Sequence, residues 1–155
     1  MAVFTAAEAL EMAMEIEKNG EVFYNAAAEK SDDTEVKTLF EDLAAQEHIH
    51  FKVFQKMLGG VGSAPVLPAE EYDQYQAYML AALDNALFAG EDKALALAEK
   101  ATDRETALRA ALGFEKDTML FFYDLREMVG ETDKEAISRV IGEERKHVRR
   151  LASLL

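Results

Sequence analysis

The sequence predicts an all-α protein in which four long helices pack as two antiparallel hairpins joined by a long, partly helical crossover. Three observations point there. The T-x-x-E signature of a helix start occurs at Thr5-Ala-Ala-Glu8, Thr102-Asp-Arg-Glu105 and Thr132-Asp-Lys-Glu135, each ahead of a segment with helical apolar spacing. No stretch alternates apolar and polar residues as a half-buried strand would. Of the three connections between long segments, two are short and one is far longer.

The first helix follows Thr5, runs to about Glu29 and stops at Ser31-Asp32-Asp33. The second starts near Thr34 and ends at Gly59-Gly60, a C-terminal signal because glycine readily leaves the helical region. The third spans about Asp103 to Val129 with Gly130 placed to terminate it, and the fourth runs from about Asp133 to the end. The crossover covers about 59–102. It opens as a loop containing Pro65 and Pro68, and then places Tyr72, Tyr75, Met79, Leu83 and Leu87 at roughly helical spacing between about Ala69 and Phe88. Asp92 to Lys100 reads as a further short helix. The narrow apolar stripe of the Ala69–Phe88 segment suits a cover over the bundle better than a subunit contact. Two short loops and one long crossover make helices two and three parallel, the connectivity of a ferritin-like four-helix bundle.

A chain of 155 residues can bury one proper core, so a single domain over 1–155 is expected. The formal charge of −13 argues against nucleic acid and anionic membranes, both of which need a basic surface. The chain has no cysteine, which excludes disulfides, thiolate metal sites and thiol redox chemistry within it. The N-terminus lacks the basic region of a signal peptide and no apolar run is long enough to span a bilayer, so a cytoplasmic location is the expectation.

Two of the three histidines sit in the same spacing, Glu47-x-x-His50 and Glu144-x-x-His147. Residues three apart on a helix share a face, so a carboxylate and an imidazole so placed can bind one metal ion. Glu47 lies 13 residues after Thr34 and Glu144 lies 12 after Thr132, near mid-height in helices of similar length. Glu17, 12 after Thr5, and Glu115, 13 after Thr102, fall at the same level on helices one and three. The chain also repeats itself: Glu17-Lys18 is followed by the aromatic pair Phe23-Tyr24, and Glu115-Lys116 by Phe121-Phe122. Each hairpin thus offers Glu from its first helix and Glu-x-x-His from its second, the inventory of a carboxylate-bridged di-metal bundle.

Four carboxylates neutralise two divalent ions, so burying such a cluster need not bury net charge. Oxygen and imidazole donors without sulfur suit iron or manganese rather than structural zinc. Interhelical ion pairs without metal would instead leave several glutamates ionised in an apolar interior. Glu143, four residues before His147, could compete with Glu144, though the repeat favours Glu144. His48 points away from the face of His50 and reads as a surface residue.

With these residues in place the chain resembles the rubrerythrin branch of the ferritin-like di-iron proteins, in particular short forms without a rubredoxin domain. The resemblance spans all four bundle helices. It implies two iron ions, with manganese or a mixed iron–manganese pair as alternatives. Glu17 and Glu115 match the terminal ligands, Glu47 and Glu144 the bridging ones, and His50 and His147 the histidines. Tyr24 matches a family tyrosine that hydrogen-bonds ligand carboxylates, and Tyr123 is expected to be its counterpart. Peroxide-reducing rubrerythrins usually carry a further Glu three residues after the third-helix ligand, where this chain has Thr118. The resemblance implies a homodimeric oxidoreductase that reduces hydrogen peroxide or dioxygen with electrons from an external donor protein such as a rubredoxin. Iron handling and a di-manganese catalase-like activity are the alternatives.

Overall fold

The structure is a computed structural model of the chain and describes residues 5–62, 71, 73–75, 77, 78, 81 and 90–155. Helix α1 (Ala6–Lys30) starts at the expected capping box. The Glu8 N–H donates to Thr5 Oγ1 at 3.2 Å and the Thr5 N–H donates to Glu8 Oε2 at 2.9 Å, so two donors left free by the first turn are satisfied. Helix α2 (Thr34–Leu58) follows after three residues, with Asp33 accepting from the Glu35 and Val36 N–H groups. So short a loop leaves α1 and α2 as antiparallel neighbours.

After the crossover come α3 (Glu91–Lys100), α4 (Arg104–Glu127) and α5 (Glu131–Leu154). Two expected capping boxes do not form. At α4 the cap is Asp103, one residue beyond Thr102, whose carboxylate accepts from both the N–H and the hydroxyl of Thr106. At α5 the cap is Gly130, so Thr132 already lies inside the helix. The earlier start brings Glu131 as well as Asp133 into the first turn, where the helix dipole favours negative charge.

Arg104 shows which way the helices run. Its guanidinium donates to Asp33 at the start of α2 (2.6 Å), reaches Glu35 (3.3 Å), and donates to the Leu154 carbonyl at the end of α5 (3.0 and 3.1 Å). The beginnings of α2 and α4 therefore meet the end of α5 at one pole of the bundle. Helices α2 and α4 are parallel, as the long crossover predicts, and no strand occurs among the described residues. Hydrogen bonding to Arg104 holds the Asp33 carboxyl below the usual carboxylate range. An acid depressed in the folded state stabilises above its unfolded value and loses that contribution as pH falls through its folded value. Asp33→Asn should therefore lower Tm at neutral pH, with the gap from wild type closing in acid, as thermal melts across pH will show.

Helix α3 lies on α1 through Ala94 and Ala98, both fully buried and one turn apart. Within the crossover Tyr75 and Tyr78 are helical and pack on the core. They line a groove with Asp124 of α4 and Met128 just after it, consistent with a covering role at this point. Tyr72, Met79, Leu83 and Leu87 lie outside the described residues.

The core is rich in aromatic rings. Tyr24 meets Phe23, Phe40 and Phe114 edge-on or tilted, and Phe54 meets Phe122 at 5.0 Å between centroids. Phe114 also explains a glycine in mid-helix. A Cβ at Gly20 would lie 2.8 Å from the fully buried Phe114 ring, which has nowhere to go, whereas one at Gly113 would meet nothing within 4 Å. Gly20→Ala should destabilise by about 1–3 kcal/mol through overpacking. Gly113→Ala should stabilise by up to about 1 kcal/mol, and chemical denaturation distinguishes the two signs.

Candidate metal centre

The four helices deliver their mid-height side chains to one place. Glu17, Glu47, Glu115 and Glu144 are each 0% exposed, and His50 and His147 are 1% and 3% exposed. They form two groups, Glu17–Glu47–His50–Glu144 and Glu47–Glu115–Glu144–His147, in each of which one ligand atom per residue lies within 4.8 Å of the others. Glu47 and Glu144 belong to both.

The shared carboxylates are divided between the histidines. Glu144 places Oε1 2.7 Å from His50 Nδ1 and Oε2 2.9 Å from His147 Nδ1. Glu47 places Oε2 3.6 Å from His50 Nδ1 and Oε1 3.5 Å from His147 Nδ1. Glu17 approaches only His50 (3.7 Å) and Glu115 only His147 (3.4 Å). Despite these approaches, both oxygens of Glu17, Glu47 and Glu144, Oε2 of Glu115 and both Nδ1 atoms lack a hydrogen bond of acceptable geometry. Buried polar atoms left so are costly, and here they converge on common points rather than on one another. Hard oxygens and neutral imidazoles around two points fit a pair of divalent first-row cations.

The protonation of the cluster agrees. Burial, and then repulsion from Glu47 and Glu144, push the Glu17 and Glu115 carboxyls well above their ordinary value. Burial also works against ionised Glu47 and Glu144, yet Glu17 and the histidines hold Glu47 below its ordinary value, and the histidines hold Glu144 below it. Burial would lower His50 and His147, but the surrounding glutamates win, raising His50 and pushing His147 up to about 12. The shifts run toward pairing the buried charges, with protons favoured on Glu17, Glu115 and the two histidines and ionisation favoured on Glu47 and Glu144. Two divalent cations facing four carboxylates would likewise leave no net buried charge.

Tyr24 sits where expected, its buried hydroxyl donating to Glu115 Oε1 at 2.5 Å. Tyr123 does not. Eight residues after Glu115 it has turned about 80° from the ligand face. Its hydroxyl accepts from Arg145 at 2.8 Å, and the Arg126 guanidinium lies 5.1 Å from its ring centroid. The true counterpart of Tyr24 is Phe122, seven after Glu115, which is buried but brings no hydroxyl. Tyr24→Phe should keep the packing yet leave Glu115 without its donor. Metal affinity at the His147 group should fall about 10-fold or more, as read by anaerobic titration.

Three features were not legible in the sequence. Thr118 is fully buried with an unpartnered hydroxyl, Gly20 makes room for Phe114, and Glu143 reaches across to His50. Contacts between helices leave no spacing signal within either one. His48 is on the surface beside Glu21, as expected.

A bundle of two antiparallel hairpins with two buried carboxylate–histidine groups at its centre defines a ferritin-like all-α protein with side chains that could hold two metals. A family profile described as rubrerythrin matches residues 8–155, and the chain belongs to the rubrerythrin family, which implies a di-iron site. In structure it is similar to a ferritin-like diiron-carboxylate protein from Thermotoga maritima, at 21% identity over 99% of this chain and 96% of that one, with a TM-score of 0.67. That likeness concerns the fold. No match emerged among curated proteins. Among the described residues, no helix is long and apolar enough to cross a membrane.

Proposed function

We propose that this chain is a di-iron oxidoreductase that reduces hydrogen peroxide, or dioxygen, by two electrons. The observation that carries the reading is the division of the Glu47 and Glu144 oxygens between His50 and His147, which suits two adjacent cations bridged by both carboxylates. Glu17 and His50 would complete one position, and Glu115 and His147 the other. An iron pair held there would supply the two electrons that, with two protons, reduce hydrogen peroxide to water.

The chain's own side chains set the conditions for that chemistry. Four carboxylates balance the charge of two cations, so the pair sits in an apolar interior without net charge. Tyr24 fixes one Glu115 oxygen and leaves the other to ligate. Tyr24, Phe114, Phe54 and Phe122, all fully buried, limit the access of bulk water. Thr118 stands where peroxide-reducing relatives usually have Glu, and offers a hydroxyl without a carboxylate's charge. A separate donor protein, such as a rubredoxin, would supply the electrons, since these residues include no cysteine to build a thiolate redox centre. A cytoplasmic homodimer is the expected setting, which size-exclusion chromatography tests for assembly.

Anaerobic loading with Fe(II), then separate rapid mixing with peroxide and with dioxygen, tests the reading through the near-ultraviolet absorption of ferric iron. Much faster oxidation by peroxide supports a peroxide reductase. Preference for dioxygen, followed by release or accumulation of iron, would reassign the protein to iron oxidation for storage or transfer. Manganese as the metal retained on purification would favour the catalase-like alternative.

A further inference from the structure

We infer that Glu143 is a positioning residue for the metal position served by His50. This rests on the two-metal reading of the centre. Glu143 lies on α5 next to Glu144, and His50 lies on α2 in the other hairpin. The Glu143 Oε2 is 2.9 Å from His50 Nε2, and the Glu143 side chain is 46% exposed while His50 is buried. A carboxylate only accepts, so the proton of this bond belongs to Nε2. With Nε2 keeping its hydrogen, it is the inner proton that metal binding would displace, which leaves the Nδ1 lone pair directed toward Glu17, Glu47 and Glu144. A histidine free to rotate or change tautomer would lose that alignment, and a carboxylate on the outer nitrogen also makes the inner one a better donor.

The two hairpins match at every proposed ligand but differ here. Glu143 precedes Glu144, whereas the residue preceding Glu47 is the uncharged Gln46. The charged acceptor thus serves the His50 position, whereas the Tyr24 hydroxyl serves the His147 position through Glu115, so losing Glu143 should affect the His50 position selectively. Glu143 also ties α5 to α2 at the level of the centre, so the bond joins the two hairpins across the site.

The test is anaerobic titration of the full chain with Co(II), resolving two binding steps by absorption, and Mössbauer spectra of the Fe(II)-loaded protein. Variants are Glu143→Ala, Glu143→Asp and, as a charge control, Glu41→Gln, an exposed residue nine positions before His50 on α2. In Glu143→Ala one step should weaken about 10–100-fold while the other holds, with one of two iron signals altered. Glu143→Asp should recover part of the loss, and Glu41→Gln should leave both steps in place. Equal weakening of both steps, an unchanged isotherm and spectrum, or the same loss in Glu41→Gln would overturn the inference. Wild-type protein that fails to bind two metals would overturn the two-metal reading itself, a result distinct from a silent Glu143.

Discussion

Glu144→Ala should empty both metal positions, whereas Glu17→Ala should empty one. Glu144 gives one oxygen to each histidine-bearing group, while Glu17 belongs to the His50 group alone. At metal concentrations that saturate wild type, bound metal should fall from about two per chain to near zero in Glu144→Ala and to about one in Glu17→Ala. Glu47→Ala should follow Glu144→Ala, and Glu115→Ala should follow Glu17→Ala. Elemental analysis after anaerobic desalting checks the pattern. Equal losses in all four variants would mean that the carboxylates act as one undivided charge, and the two-position account would fail.

Metal should also stabilise the fold strongly, and more so as pH rises. A ligand that binds only the folded state at 100 times its Kd adds about 2.7 kcal/mol per site. Two sites would then add about 5 kcal/mol, or about 10–20 °C in Tm for a chain of this size. The sign of the pH effect follows from the protons of the metal-free cluster. Glu17, Glu115, His50 and His147 are all raised above their ordinary values, so the metal-free site holds protons more firmly than free side chains would, and metal binding competes with them. Loading should therefore release protons. The bound state holds fewer protons than the free state, so affinity and the gain in Tm should both shrink as pH falls. Calorimetric titrations in buffers of different ionisation enthalpy count the protons, and melts with and without metal give the trend. A Tm gain that grows in acid would contradict the assignment.

Much of this architecture is legible in the chain because its signals are local. The Thr5 capping box and the Gly59-Gly60 stop need only their neighbours to act, and each appears where it was expected. The level of the ligands follows from counting along helices of equal rise, so Glu17, Glu47, Glu115 and Glu144 could be placed together before any packing was known. At α4 the adjacent Thr102 and Asp103 compete to cap and Asp103 wins, whereas the N-cap of α5 is Gly130, two residues before Thr132, with no side-chain cap. Tyr123 was misplaced by one residue of register. The aromatic pair Phe121-Phe122 should have assigned the Tyr24 position to Phe122, and the tyrosine just beyond it misled. The bond from Glu143 to His50 is a contact between hairpins 93 residues apart in sequence, and no pattern within either helix encodes it.

The most direct test of the central claim is an anomalous-difference map from crystals grown anaerobically with Fe(II) or Mn(II). Two peaks about 3.5–4 Å apart, both touching Glu47 and Glu144 and each capped by one histidine, are the predicted result. A single peak, or metal away from these residues, would contradict it.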